Sequence, residues 1–595
     1  MDLLRTKKVY RFIPIGATAT FLLWALAHFG VSDHSLYGSP HSDEHDHFLR
    51  PPHPPPPFGG EWQPPPPVAG SSHPTHDRPN SKWAQRADAV KDAFSHAWQG
   101  YQEYAGSHDE LLPVSNGSVD NFNGWRLTLV DSLDTMLIMG LHDEFQSTIP
   151  IIANMTFALR EGSYAPFFET VIRYLGGLLS AYAISGEPIL LSRADDLGTM
   201  LLPAFNTSHG LPMYAVNTVS GKTRTGWSGS SVLWSEALSC QMEYKYLAHL
   251  TGRREYYEKV ERIMDLMDSA GITTGEFPTK WNLLTGKPLN RQFSVGAFAD
   301  SAHEYLLKQW LLTGKSESKA RDLYLRDAEA IIKNLLYITP NRQLLYVTDT
   351  ISSKPSYTFE HLSCFLPGLL ALGAHTLPLS DRDRKLHQWA AQGLAYTCWL
   401  TYADQATGLG PDEMWMTRML ADDAHPYGGR WFDLVEEWEE MGRPGGVPPG
   451  LKEAPPEKES SERDYRAVKT AYLLRPETVE SFYIMWRTTG DEVWRERGWS
   501  VFEAIEKHGK TASGYASVFN VDKIPASLKN EMPSFFTAET LKYLYLLFQD
   551  EELIPLDRWV FNTEAHPLPV FEWTEWEKER YGINPEQPIA AAAAT

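Results

Sequence analysis

The chain has 595 residues, 43% of them hydrophobic, and a formal net charge of −21. That is enough to bury a large core and is more than one average domain needs. The acidic balance argues against a nucleic-acid partner, because polyanions attract basic surfaces. Cys240, Cys364 and Cys398 are too few for a disulfide scaffold and lack zinc-ligand spacing. One bridge plus one free thiol is possible, and Cys364 and Cys398 are the closer pair along the chain.

Residues 1–11 carry Arg5, Lys7, Lys8 and Arg11 and read as a cytosolic tail. Residues 12–31 (FIPIGATATFLLWALAHFGV) contain no Asp, Glu, Lys or Arg and are long enough to span a bilayer. The expected arrangement is a retained type II signal anchor with the rest of the chain lumenal. The competing reading is a cleaved signal peptide. Residues 32–81 form a Pro- and His-rich stem; the run PPHPPPPFGGEWQPPPP (51–67) cannot become a helix and favours extended polyproline geometry. Glycosylation acceptor motifs occur at Asn116, Asn154 and Asn206, all on the lumenal side of the anchor.

From residue 82 the pattern becomes helical. Segment 82–105 is amphipathic at a period of 3.6 residues, and similar segments recur at 167–185, 234–252, 296–314, 362–375, 477–490 and 535–549. Several end in Gly, the common C-terminal cap. QLLYVTDT (343–350) is a short strand candidate. The expected fold is all-α, built from helical hairpins over 82–572. Residues 421–468, rich in Pro, Gly and charge, are expected to form an inserted surface loop, and 573–595 a C-terminal tail.

Many of these helices carry carboxylates on apolar or aromatic faces. Asp131 and Asp134, Glu236 and Glu243, Asp300 and Glu304, and Glu477 and Glu480 are spaced by three, four or seven residues, which puts each pair on one helix face. Glu169 stands four residues before Arg173, and Glu539 lies within FFTAETLKYLYLLF. A carboxylate on an apolar face is costly unless paired or functional. Together these segments suggest a central acidic pocket. Such a pocket suits glycoside hydrolysis by an acid and a base, or a hard cation with oxygen ligands. No HExxH motif or GxSxG elbow is present, which disfavours a zinc hydrolase and a serine hydrolase.

Seven blocks then identify a resemblance: DSLDTM (131–136), FFETVIRYLGGLLSAY (167–182), DSAHEYLLK (300–308), HLSCFLPG (361–368), LRPETVESFYIMWRTTGD (474–491), SFFTAETLKYLYLLF (534–548) and FNTEAHP (561–567). Their content and order resemble the class I α-1,2-mannosidases, glycoside hydrolase family 47, from about residue 82 to 570. The resemblance implies an (α/α)7 barrel and inverting removal of terminal α-1,2-linked mannose from high-mannose N-glycans, with one Ca²⁺. Thr563 matches the direct calcium ligand. Glu169 matches the general acid. Glu477 and Asp300 match the candidates for the base, with Glu477 favoured. Arg173, Glu304, His361, Arg475, Glu480, Phe535, Glu539 and Glu564 match other pocket positions, and Cys364 and Cys398 match the disulfide.

The chain departs from the pattern at Met242-Glu243-Tyr244, in the DSAHEY block, at Gly410-Pro411-Asp412, and at Phe298, which occupies a position tied to branch preference. The implied location is the membrane of the endoplasmic reticulum or Golgi. A glycan-binding quality-control factor with weak or no hydrolytic activity is the alternative. The sequence gives no oligomeric state.

Overall fold

The computed structural model describes residues 81–421, 428–452 and 463–583. The expected anchor and most of the stem therefore lie outside the described residues. Among the described residues no helix is long and apolar enough to cross a membrane.

The fold is mostly helical and built from helical hairpins. Helix Leu133–Ile138 packs on His142–Ala153, Gly176–Ser185 on Pro188–Leu201, Gln241–Thr251 on Arg254–Ser269, and Asp300–Leu312 on Ser318–Asn334. Leu366–Thr376 packs on Asp381–Ala403, and Glu477–Thr489 on Val493–His508. The short helix Leu541–Leu547 takes its partner from the other end of the domain, helix Lys82–Ala105. The first helix of each of these pairs also touches the first helix, or the helical turn leading into it, of the next. The 3₁₀ turn His361–Phe365 makes the link from Asp300–Leu312, and the π turn Phe536–Thr540 makes the link back to Leu133–Ile138.

Burial separates the two members of a pair. Every residue of Leu541–Leu547 and nearly every residue of Gln241–Thr251 and Asp300–Leu312 is buried. A helix buried all round belongs inside a layered core. Helix Arg254–Ser269 instead buries Tyr256, Tyr257, Val260, Ile263, Met264 and Met267, a single face at helical spacing. The inner helices nevertheless contain Glu243, Lys245, Glu304 and Lys308. Their charges are met by buried partners, as where Lys245 reaches Gln309 at 2.9 Å and pairs with Glu317.

Short antiparallel strands decorate one another as two- and three-stranded pieces. The 343–350 candidate contains the strand Leu345–Val347, paired with Leu336–Ile338. The hairpin Trp559–Phe561 with Pro567–Pro569 matters most, because its turn carries Thr563 and Glu564. Strand Trp559–Phe561 lies against helix Asp300–Leu312, and Pro567–Pro569 against Gly176–Ser185. Asn562 organises the turn: its Oδ1 accepts the N–H groups of Glu564 and His566, both at 2.9 Å. Lys542 Nζ donates to the Ala565 carbonyl at 2.6 Å.

Two glycines make room for that turn. A Cβ on Gly177 would stand 2.8 Å from the Val130 carbonyl oxygen and 3.3 Å from the His566 ring; one on Gly176 would stand 2.6 Å from Asn562 Nδ2. Alanine inside a helix normally gains up to about 1 kcal/mol over glycine. Here the backbone oxygen cannot swing away, so the sign reverses. Gly177→Ala is expected to destabilise the fold by about 1–3 kcal/mol, read as a lower denaturation midpoint. A higher midpoint would refute the close approach.

Two boundaries differ from expectation. The 421–468 segment is not wholly a loop. It contains helix Trp431–Glu440, which buries Trp431, Phe432, Val435 and Trp438 and packs on helix Ser318–Asn334. The spacing of these apolar residues outweighs the surrounding Pro, Gly and charge. Strand Tyr465–Lys469, at its end, pairs with Glu413–Met416. Residues 573–583 are not a free tail either. Thr574 and Glu577 form a capping box that starts helix Glu575–Tyr581, Trp573 and Tyr581 are buried, and Glu577 meets His249 Nδ1 at 2.9 Å.

Cys364 and Cys398 form the disulfide, and Cys240 is a buried free thiol. The bridge ties the turn containing His361 to helix Asp381–Ala403. Asn116, Asn154 and Asn206 are all exposed.

Candidate active site

The carboxylates singled out in the sequence meet around the Thr563 turn. Thr563 Oγ1 donates to Glu304 Oε1 at 3.0 Å, and Glu304 Oε2 accepts from Lys308. Lys308 also stands 3.6 Å from Glu480. Glu564, the next residue of the turn, pairs with Arg173 Nη1. Arg173 Nε donates to Glu169 Oε2 at 2.8 Å. The guanidinium lies 5.3 Å from the ring centroid of Phe122 and 5.9 Å from that of Phe535, within cation–π reach of both.

Local helix geometry sets these side chains. Asp300 and Glu477 each occupy the first position of their helix, where the dipole favours negative charge. Glu169 and Arg173 straddle the start of a π turn, Thr170–Leu175, and Glu539 lies in the second π turn, Phe536–Thr540. Such turns are frequent at functional sites because they re-aim side chains without ending the helix. Leu474, with φ +62°, leads the chain into Arg475, whose Nε donates to Asp412 Oδ1 at 2.8 Å.

Glu477 is positioned by a two-step relay. Its Oε2 lies 2.9 Å from His361 Nδ1, and His361 Nε2 lies 2.5 Å from the Tyr402 hydroxyl. The Glu477 side chain keeps 13% of its accessible surface and that of Glu169 keeps 30%, so both face open space.

Burial dominates the electrostatics. It pushes the Asp300 carboxyl up to about 8, with Glu304, Glu360 and Glu477 adding repulsion and the Ser301 N–H opposing it. Burial likewise lifts Glu480 to about 8, Lys308 pulling against it. Glu539 is raised well above the usual carboxylate range by burial and then by Glu564, Glu477 and Glu480. Glu236, Glu243 and Glu360 rise to about 7, mainly through burial.

These shifts carry a sign for stability. A carboxyl whose folded pKa exceeds its unfolded value stabilises the fold below the unfolded pKa, and that contribution is lost as pH rises through the folded pKa. The protein without added metal is therefore expected to melt at a lower temperature at pH 8.5 than at pH 5.5. Thermal scans in chelator-treated buffer test this; a higher melting temperature at pH 8.5 would contradict it.

Direct contacts join these residues in small groups, Thr563–Glu304–Lys308–Glu480, Glu564–Arg173–Glu169, Glu477–His361 and Arg475–Asp412. Asp300 and Glu539 lie close enough to feel the charges of Glu304, Glu477, Glu480 and Glu564. Sequence reasoning missed four groups that hold the site: Lys308 between Glu304 and Glu480, Tyr402 behind His361, Ser534 beside Arg173, and His566 beneath the Thr563 turn. Lys308 lies four residues after Glu304, and that spacing was a usable signal. Asp412, which departs from the family pattern, is the partner of Arg475. Among the described residues no group of three or more His, Cys, Asp or Glu side chains is arranged to hold a metal ion directly. The donors around Thr563 are oxygens of hydroxyl, carbonyl and carboxylate groups.

The match to a known family decides the kind of site. The model of glycosyl hydrolase family 47 matches residues 93–570. The chain belongs to that family. Among its relatives, the mannosyl-oligosaccharide α-1,2-mannosidase IA of Drosophila melanogaster is 35% identical over 507 residues, covering 84% of this chain and 70% of that protein. The endoplasmic reticulum mannosyl-oligosaccharide 1,2-α-mannosidase of Rattus norvegicus is 37% identical over 495 residues, covering 82% of this chain and 68% of that protein. Among solved structures, the α-1,2-mannosidase from Trichoderma reesei superposes with a TM-score of 0.71 at 28% identity, covering 82% of this chain and 99% of that one. This family-47 domain therefore shares fold and sequence with glycosidases, and its acidic pocket lies within the matched region.

Proposed function

We propose that the protein is an inverting exo-α-1,2-mannosidase that removes terminal α-1,2-linked mannose from high-mannose N-glycans. The observation that carries this reading is the pairing of two partly open carboxylates, Glu169 held by Arg173 and Glu477 held by His361, within a family-47 domain. The neighbour-to-neighbour packing of the helical pairs supports an (α/α)7 barrel as the architecture.

In this reading Glu169 gives its proton to the departing glycosidic oxygen, directly or through a water, as that oxygen's bond to the anomeric carbon breaks. Arg173 fixes Glu169 and balances the negative charge left on it. Glu477 takes the proton of the attacking water as the new C–O bond forms on the opposite face, and His361 aims it. Burial holds Asp300 largely protonated near neutral pH, so it serves less well as the base and better as a hydrogen-bond donor. Phe535 offers an apolar face to the sugar ring, and Arg475, set by Asp412, offers forked donors to hydroxyls. Once ionised, the four carboxyls Glu304, Glu480, Glu539 and Glu564 outnumber the two cations beside them, Lys308 and Arg173.

That excess, together with the all-oxygen donor set, fits a hard divalent cation such as Ca²⁺. Thr563 would be its direct ligand through hydroxyl and carbonyl oxygens, with the surrounding carboxylates holding its waters. Bound there, Ca²⁺ would supply loose oxygen coordination for sugar hydroxyls and water.

The reading places the protein in the endoplasmic reticulum or Golgi membrane as a type II protein anchored by residues 12–31, with N-glycans at Asn116, Asn154 and Asn206. Incubating residues 82–595 with a Man9 N-glycan tests the activity. Stepwise loss of α-1,2-linked mannose is expected. Glycan binding without trimming would sink the hydrolase.

A further inference from the structure

His566 lies in the quoted FNTEAHP block but has no part in the chemistry above. It is fully buried, and both ring nitrogens face carboxylates: Nδ1 lies 2.8 Å from Asp134 Oδ2 and Nε2 lies 3.1 Å from Asp131 Oδ1. A neutral imidazole has one N–H, so its other nitrogen would aim a lone pair at a carboxylate oxygen. With both carboxyls ionised, the imidazolium is the form that satisfies both contacts.

The surrounding charges agree. Asp134 also accepts from Ser180 Oγ at 2.8 Å and stands 2.9 Å from the buried Lys542 ammonium. Against the upward pull of burial, Lys542 and His566 hold the Asp134 carboxyl down to about 2. Asp131, entirely buried, accepts from Ser534 Oγ and lies 3.8 Å from Arg173 Nη1; Ser534 Oγ in turn lies 3.4 Å from the same Nη1. Arg173 ends the chain of contacts on Glu169. Within it, Lys542 and Arg173 face the carboxyls of Asp131, Asp134, Glu564 and Glu169, and a protonated His566 adds a third positive charge against Asp131 and Asp134. With a neutral His566, the buried Asp131 and Asp134 carboxylates would keep Lys542 at 2.9 Å and Arg173 only at 3.8 Å as their cations.

We propose that His566 is a fixed imidazolium that orients Asp131 and, through Ser534 and Arg173, sets the position of Glu169, making it a positioning residue for the reaction. The link to catalysis rests on the mannosidase reading; the imidazolium and its contacts do not. They are a property of the turn whatever the substrate.

Two measurements test it. Neutron diffraction from crystals of the protein at pH 7.5 needs no substrate and no variant. Deuterons on both ring nitrogens of His566 are expected, and a single deuteron overturns the imidazolium. In glycan trimming, His566→Gln is expected to lower kcat by about 100-fold, the cost of a misplaced catalytic group, with KM changed less than about threefold. Adding Asp131→Asn removes the charge that the imidazolium faced and lets two amides restore the contact, so the double variant is expected to regain about tenfold in kcat. Unchanged kcat in His566→Gln, or no recovery in a folded double variant, overturns the positioning role. Should neither variant fold, the neutron result alone still decides the imidazolium on which the role depends. Wild-type protein that trims no glycan would refute the mannosidase reading and leave the imidazolium test standing.

Discussion

Glu477→Gln is expected to reduce kcat by about 10²–10⁴-fold while leaving KM nearly unchanged. That range is the usual worth of a positioned general base. The substitution preserves shape, and the amide can still meet His361 Nδ1 across the 2.9 Å contact. It cannot take a proton from water. Asp300→Asn is expected to cost less, because burial already pushes that carboxyl up to about 8 and an amide mimics its protonated form. Steady-state kinetics on a high-mannose glycan compare the two. If Asp300→Asn proves the more damaging, Asp300 becomes the base and Glu477 its neighbour.

The second large effect concerns the cation. Removing Ca²⁺ with a chelator is expected to abolish trimming and to lower the melting temperature. A ligand present at about 100 times its Kd stabilises a fold by about 2.7 kcal/mol, and here it also offsets the repulsion among Glu304, Glu480, Glu539 and Glu564. The melting-temperature gain on adding Ca²⁺ should therefore be larger at pH 8.5 than at pH 5.5, where burial leaves Glu480 and Glu539 protonated. Thr563→Ala removes a hydroxyl oxygen from the turn and is expected to weaken Ca²⁺ binding at least tenfold by calorimetry, with the apo protein still folded. Equal affinity in Thr563→Ala would place the cation elsewhere.

How far the site was legible depended on the kind of signal. Residues within one helix announced themselves: Glu169 with Arg173, and Asp300 with Glu304, stand four apart and share a face in the structure. The helical segments were legible for the same reason, since a 3.6-residue period survives in the linear text. Partners brought together by tertiary packing left no such trace. Tyr402 reaches His361 from 41 residues away, and His566 reaches Asp131 and Asp134 from more than 430. The π turns were likewise invisible, because an extra residue in a helical turn changes hydrogen bonding without changing composition. Composition misled at 421–468, where Pro and Gly surround a helix whose buried Trp431, Val435 and Trp438 follow the ordinary period.

The pairing of helix Lys82–Ala105 with Leu541–Leu547 has a consequence in time. Roughly 440 residues separate the two, and at about 5–20 residues per second a ribosome needs roughly 20–90 s to make them. Until then Trp83 lacks its stacking partner Phe548, while strands Glu110–Leu112 and Gly117–Val119 can already pack on the same helix. The Thr563 turn emerges later still, after every helix that surrounds it. The domain thus begins as a half-covered surface that must be shielded while it waits. The pocket is complete only once the Thr563 turn has joined the helices made before it, so the site closes late in synthesis.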